Sequence, residues 1–76
     1  MITLYTMHRC GYCEKAKHYL SELGIARKVI QIETASDEEL QLVKHDHTFP
    51  QIWIQNSSGE HEFIGGYDQL VEAFPI

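Results

Sequence analysis

Residues 2–32 spell a strand, a helix and a second strand with almost no chain to spare between them. "ITLYT" (2–6) is β-branched and aromatic, and reads as a buried strand. From about 11 to 23, apolar side chains return at Ala16, Tyr19, Leu20 and Leu23, the i, i+3, i+4, i+7 spacing of one helical face. Gly24 supplies the stop, and "ARKVIQI" (26–32) is a second strand. A unit of this kind closes as a parallel, right-handed βαβ crossover. Beyond it, Ser36-Asp37-Glu38-Glu39 has the form of a capping box and predicts a helix over 37–44. "QIWIQ" (51–55) and "HEFIG" (61–65) flank "NSSGE" as a hairpin, Gly65-Gly66 breaks the chain, and "YDQLVEAF" is a last helix stopped by Pro75. The order β-α-β-α-β-β-α gives an α/β fold, an open four-stranded mixed sheet with helices on its faces.

With 76 residues the chain is expected to be one domain, 1–76, whose substrate is met at the surface. A net charge of -5, with only six Lys and Arg scattered along the sequence, argues against a nucleic-acid partner. No apolar run is long enough to span a bilayer, and "MITLY" has neither a basic n-region nor an apolar h-region. The expectation is a cytoplasmic protein without a membrane partner, in a compartment that keeps thiols reduced.

Against that background stands "MHRCGYCEKAKHYL", residues 7–20, which holds both cysteines of the chain. A bridge between Cys10 and Cys13 closes too small a loop to restrain the unfolded chain, so a structural staple is disfavoured. Zinc would need His45 and His47 beside the cysteines, and His-x-His is not the usual spacing for such a site; no metal is expected. A redox pair fits better. With helical residues about 100° apart, Cys13 falls about 70° from the centre of the apolar face and Cys10 about 130° from it. Cys13 is thereby placed against the core and Cys10 toward solvent, one sulfur open to attack and one held back. Both lie at the start of a helix, where unpaired N–H groups favour an anion, and Arg9 and His8 add positive charge. Cys10 is the expected low-pKa nucleophile.

Taken together, "LYT", "CGYC", "TFPQIWI" and "IGGYDQL", in this order and at these separations, resemble the glutaredoxin family over nearly the whole chain. The resemblance implies a thioredoxin-like fold and an oxidoreductase that uses glutathione as reductant and has no obligatory metal. Its partners would be glutathione and disulfide-containing proteins such as ribonucleotide reductase, and a monomer is expected. By position, Cys10 would be the nucleophile and Cys13 the resolving thiol. Tyr12 would pack beside glutathione. Thr48, Phe49 and Pro50 would form a cis-proline loop, with the Phe49 backbone pairing an incoming cysteinyl residue. Gly65, Gly66, Tyr67 and Asp68 would hold the γ-glutamyl end, Asp68 pairing its α-ammonium.

Four positions depart from the family pattern. Gly11 replaces a proline between the cysteines, and Met7 stands where a lysine commonly grips the glycine carboxylate, with His8, Arg9 and Lys44 as candidates to compensate. Gln69 replaces a frequent second aspartate, and "NSSGEHE" is a longer turn. Two other functions remain open: a thioredoxin-like dithiol donor reduced by a flavoprotein reductase, and a glutathione-ligated [2Fe–2S] carrier, for which Gly11 is permissive. Against the first, Arg9 precedes Cys10 where thioredoxins have tryptophan, and "ITLYT" has no acid.

Overall fold

The computed structural model describes residues 1–76. Strands β1 (Ile2–Thr6), β2 (Arg27–Gln31), β3 (Gln51–Gln55) and β4 (His61–Gly65) form one sheet in the order β2-β1-β3-β4. Helix α1 (Gly11–Glu22) joins β1 to β2, which pair in parallel; β1–β3 and β3–β4 are antiparallel. This is the mixed sheet of a thioredoxin-like fold, and helix α2 (Tyr67–Ala73) completes it.

The apolar alternation of the strands and the 3.6-residue stripe of α1 meet in one core. Ile2 and Leu4 of β1, Ile52 of β3, Ala16, Tyr19 and Leu20 of α1, and Leu70 of α2 are all buried together. The stop after α1 is complete: Gly24 lies at φ +67°, its N–H donates to Ser21, and the Ile25 N–H reaches back to the Leu20 carbonyl at 3.1 Å. That pairing satisfies the last carbonyls of the helix and turns the chain straight into β2. Packing fixes the second helix against the first, since the Tyr19 hydroxyl donates to the Phe74 carbonyl and the Tyr67 ring meets the Tyr19 ring edge-on at 6.2 Å.

The helix expected over 37–44 does not form. The capping box does: the Ser36 N–H donates to Glu39 Oε1 at 2.9 Å and the Glu39 N–H to Ser36 Oγ at 3.2 Å. One helical bond follows, Leu40 N–H to Ser36, and then the segment relaxes into turns with i→i−3 bonds. Two side chains from the sheet account for this. The Tyr5 hydroxyl donates to the Glu39 carbonyl, and the buried Gln51 amide captures the Lys44 N–H (2.9 Å) and its carbonyl (2.6 Å). A helix over 37–44 would need the Glu39 carbonyl and the Lys44 N–H for itself, and one turn cannot hold them against tertiary partners. The element order is therefore β-α-β-β-β-α, with a run of turns where the middle helix was expected.

Candidate active site

Cys10 is the N-cap residue of α1, extended at φ −110° and ψ 101°, and its sulfur takes the place that a serine or aspartate oxygen usually fills. The Cys13 N–H donates to Cys10 Sγ at 3.2 Å. A fixed N–H aimed at this sulfur favours its anionic form once the bond to Cys13 is reduced. In the structure the two cysteines are joined as a disulfide, with Cα atoms 5.2 Å apart. Cys13 is 1% exposed, whereas Cys10 is partly open to solvent. The asymmetry follows from the helix: Cys13 sits one turn before Ala16 and two before Leu20 on the helix's buried face.

The second wall comes from the loop that leads into β3. The Phe49-Pro50 peptide is cis, and the Phe49 carbonyl lies 3.7 Å from Cys10 Sγ. Neither the N–H nor the carbonyl of Phe49 is used by another backbone group. Gln51, one residue on, is fully buried and anchors the approach to this loop through Lys44 and His47.

A bulge in the β3–β4 pairing sets the third wall. Trp53 pairs with Phe63 but Ile52 pairs with Gly65, so Ile64 is the extra residue and β4 bends into α2. Gly65 then turns at φ +127°, and a Cβ there would lie within 2.9 Å of the Gln69 side-chain Cβ and Cγ. Only glycine satisfies both conditions. Gly66 is different: a methyl group would meet nothing closer than 3.5 Å, so its backbone is not forced to be glycine.

These three walls enclose an open groove of about 270 Å³. Tyr12 bounds one side, Thr48, Phe49 and Pro50 form the floor, and Gly66, Tyr67 and Asp68 bound the far side. Gly65 lies buried behind it. The Tyr12 and Tyr67 rings face each other at 6.0 Å, and Lys15 Nζ covers Tyr12 at 5.0 Å. Gln69 also lines the groove, and sequence reasoning noted it only as a departure. Its signal was the Gly-x-x-Gln spacing, since the Gly66 N–H donates to Gln69 Oε1 at 2.9 Å as in a capping box.

His8 and Arg9 make no hydrogen bond to Cys10. The His8 N–H donates to Glu33 and its ring pairs with Gln31 at 2.8 Å; that backbone bond holds the Glu33 carboxyl below its usual range. Arg9 is exposed at φ 55° and makes no hydrogen bond or ion pair. Among the groups around Cys10, the N–H of Cys13 is the one that donates a hydrogen bond to its sulfur. Lys44 lies over the rings of Phe63 (5.4 Å) and Trp53 (5.8 Å). His47 pairs with Asp46 and stands edge-on to Phe63, and no three His, Cys, Asp or Glu side chains converge.

The family model for glutaredoxin matches residues 2–58 of the chain. The chain belongs to the glutaredoxin family. Glutaredoxin 1 of Rickettsia bellii is 32% identical over 93% of the chain and 74% of its own length. Glutaredoxin 3 of Escherichia coli is 31% identical over 91% of the chain and 80% of its length. The crystal structure of a buckwheat glutaredoxin–glutathione complex superposes with a TM-score of 0.67 at 28% identity. That match covers 93% of this chain but 64% of the buckwheat chain, so less than two thirds of the longer protein is represented. As a glutaredoxin, the chain is a thiol oxidoreductase of the thioredoxin-like fold.

Within that family Gly11 has a simple consequence for stability. A Cβ at Gly11 would meet nothing within 4 Å, the position is the first of α1, and Cys10 before it is already extended. Proline tolerates all three conditions. Gly11→Pro is therefore expected to stabilise the fold by about 0.4–1 kcal/mol, by restricting the unfolded chain. Thermal unfolding of oxidised protein checks it: a higher midpoint is expected, and a lower one would mean that the first turn of α1 needs a conformation proline cannot take.

Proposed function

We propose that this glutaredoxin is a glutathione-dependent thiol–disulfide oxidoreductase, reducing protein disulfides, ribonucleotide reductase among them, and glutathione mixed disulfides. The observation that carries the reading is the continuity of one groove from the Phe49 carbonyl beside Cys10 Sγ to the carboxylate of Asp68. A γ-glutamyl peptide laid along it would pair its cysteinyl backbone with Phe49 as a short added strand and present its α-ammonium to Asp68.

The chemistry is two thiol–disulfide exchanges. Reduced Cys10 attacks one sulfur of the substrate disulfide, forming a mixed disulfide and releasing the other sulfur as thiolate, which takes up a proton. Cys13, deprotonated, attacks Cys10 Sγ, forms the Cys10–Cys13 bond seen here and releases the second substrate thiolate. Two glutathione thiols then return the pair to dithiol and leave as glutathione disulfide. When the substrate is itself a glutathione mixed disulfide, Cys10 alone takes up the glutathionyl group and a second glutathione removes it. A lone, closely spaced pair suits a reducing compartment such as the cytoplasm, where it cycles.

A glutathione-coupled reduction assay, run beside a flavoprotein thioredoxin reductase, tests the reading. Turnover with glutathione is expected, and turnover with the flavoprotein alone would replace glutathione as the donor. Asp68→Ala removes a charge-assisted contact typically of about 1.5–3 kcal/mol, so KM for glutathione should rise about tenfold or more. Asp68 is exposed and touches no cation in the protein, so the fold should persist; unchanged KM in a folded variant would put the γ-glutamyl end elsewhere.

A further inference from the structure

The turn between β1 and Cys10 is tied to the rest of the chain by one hydrogen bond from its backbone. No N–H or carbonyl of Met7, His8 or Arg9 takes part in a backbone–backbone bond. The His8 N–H donates instead to Glu33 Oε2 at 2.9 Å. Glu33 lies just past β2, and the chain there is fixed twice. The Ile32 N–H extends the parallel ladder to the Thr6 carbonyl at 2.9 Å, and the Thr34 N–H closes a turn on the Gln31 carbonyl at 3.2 Å. The His8 ring meets Gln31 Nε2 at 2.8 Å, a second tie from the same strand end. Between this clamp and Cys10 stands Arg9, left-handed at φ 55°, a region that side chains rarely adopt. Arg9 is exposed and makes no hydrogen bond or ion pair, so nothing at Arg9 itself holds that conformation. A strained residue persists only where its neighbours over-determine it. Here they are His8, clamped by Glu33, and Cys10, whose Sγ accepts the Cys13 N–H.

We infer that Glu33 is a positioning residue for the nucleophile: by holding the His8 N–H it keeps Cys10 as the N-cap of α1, with its sulfur on the Cys13 N–H. Without that acceptor Arg9 relaxes, and Cys10 leaves the extended geometry (φ −110°, ψ 101°) that aims Sγ at its donor. The inference rests on Cys10 being the attacking thiol, and not on which thiol reduces the disulfide. Acceptor and charge pull in opposite directions at this site. An anion nearby disfavours a thiolate, whereas the geometry maintained by the acceptor favours it. The sign of the effect therefore tells positioning from charge.

The test follows alkylation of the reduced whole chain against pH, with mass mapping to read Cys10 alone. Glu33→Ala removes acceptor and charge together, and the Cys10 pKa should rise by about half a unit to one unit. Glu33→Gln keeps an oxygen for the His8 N–H, so the pKa should stay at the parent value or fall slightly. A purely structural role would lower the thermal midpoint of Glu33→Ala and leave the thiol where it was. An unchanged or lowered pKa in Glu33→Ala would overturn the inference, and so would an equal rise in Glu33→Gln. If Glu33→Ala does not fold, Glu33→Asp takes its place, keeping the charge but drawing the acceptor back by one methylene. A rise is again expected, and its absence overturns the role of Glu33. Labelling of Cys13 ahead of Cys10 in the parent protein would overturn the nucleophile assignment itself, and this inference with it.

Discussion

Cys10→Ser is expected to abolish both reduction of glutathione mixed disulfides and reduction of protein disulfides, while Cys13→Ser abolishes only the second. The structure makes both variants clean. Serine is among the best N-cap residues, so Ser at position 10 would still accept the Cys13 N–H and α1 would still start at Gly11. What disappears is the sulfur, and a hydroxyl near neutral pH is neither an anion nor a leaving group for exchange. At position 13 the contact that favours the Cys10 thiolate comes from the backbone, and a backbone N–H survives the change of side chain. Cys10 therefore keeps its nucleophilic character in Cys13→Ser, and exchange with a glutathionylated peptide continues. Reduction of a protein disulfide by the dithiol route needs the buried sulfur one turn away, whose effective concentration at Cys10 is high because the helix holds it there. Steady-state assays on a glutathionylated peptide and on a protein disulfide, with glutathione as donor in both, separate the outcomes. Loss of both activities in a folded Cys13→Ser protein would show that Cys13 takes part in the first attack, contrary to the division of labour drawn here.

What sequence could show was set by how local each determinant is. The β1–α1–β2 unit is legible because its signals are periodic and lie within the element itself: the Ala16, Tyr19 and Leu20 stripe, and Gly24 where the chain must turn left-handed. The wheel also places the two sulfurs correctly, since Cys13 belongs to that same stripe. The segment 37–44 fails for the opposite reason. Its own capping box forms as written, but the next carbonyl is taken by Tyr5 of β1 and the N–H of Lys44 by Gln51 of β3, partners that no local pattern reveals. His8 and Arg9 carry the same lesson in electrostatics. Adjacency in sequence put charge next to Cys10, whereas the turn after β1 gives His8 to Glu33 and Gln31. In the groove, Tyr12, the Thr48–Pro50 loop and the Gly66–Asp68 wall come together from three separate stretches, and motif order foreshadowed that meeting only through the family resemblance. Gln51 was passed over, and Gln69 noted only as a departure, because an uncharged amide has no signature until its partners are seen.

Gln51→Leu is expected to be the costliest of the polar substitutions. Leucine has nearly the volume of glutamine, so it leaves no large cavity in a site that is fully buried. Its fault is chemical. The Gln51 amide donates to the Lys44 carbonyl at 2.6 Å and accepts the Lys44 N–H at 2.9 Å, and the apolar replacement orphans both. An unsatisfied buried group costs about 1–3 kcal/mol, so a total near 2–4 kcal/mol is expected after partial rehydration at the edge of the segment. For a domain of this size that is a large share of all its stability. The consequence should reach the groove, because Lys44 and His47 are the anchors of the chain that enters the Thr48–Pro50 floor. Chemical denaturation should show a lower midpoint with an unchanged slope. Under conditions where the variant remains folded, KM for glutathione should rise more than kcat falls, since the loop that pairs the ligand backbone is loosened while Cys10 keeps its bond from the Cys13 N–H. A midpoint within error of the parent protein would show that the turns over 37–47 hold their place without this amide, and that the floor of the groove is positioned by β3 alone.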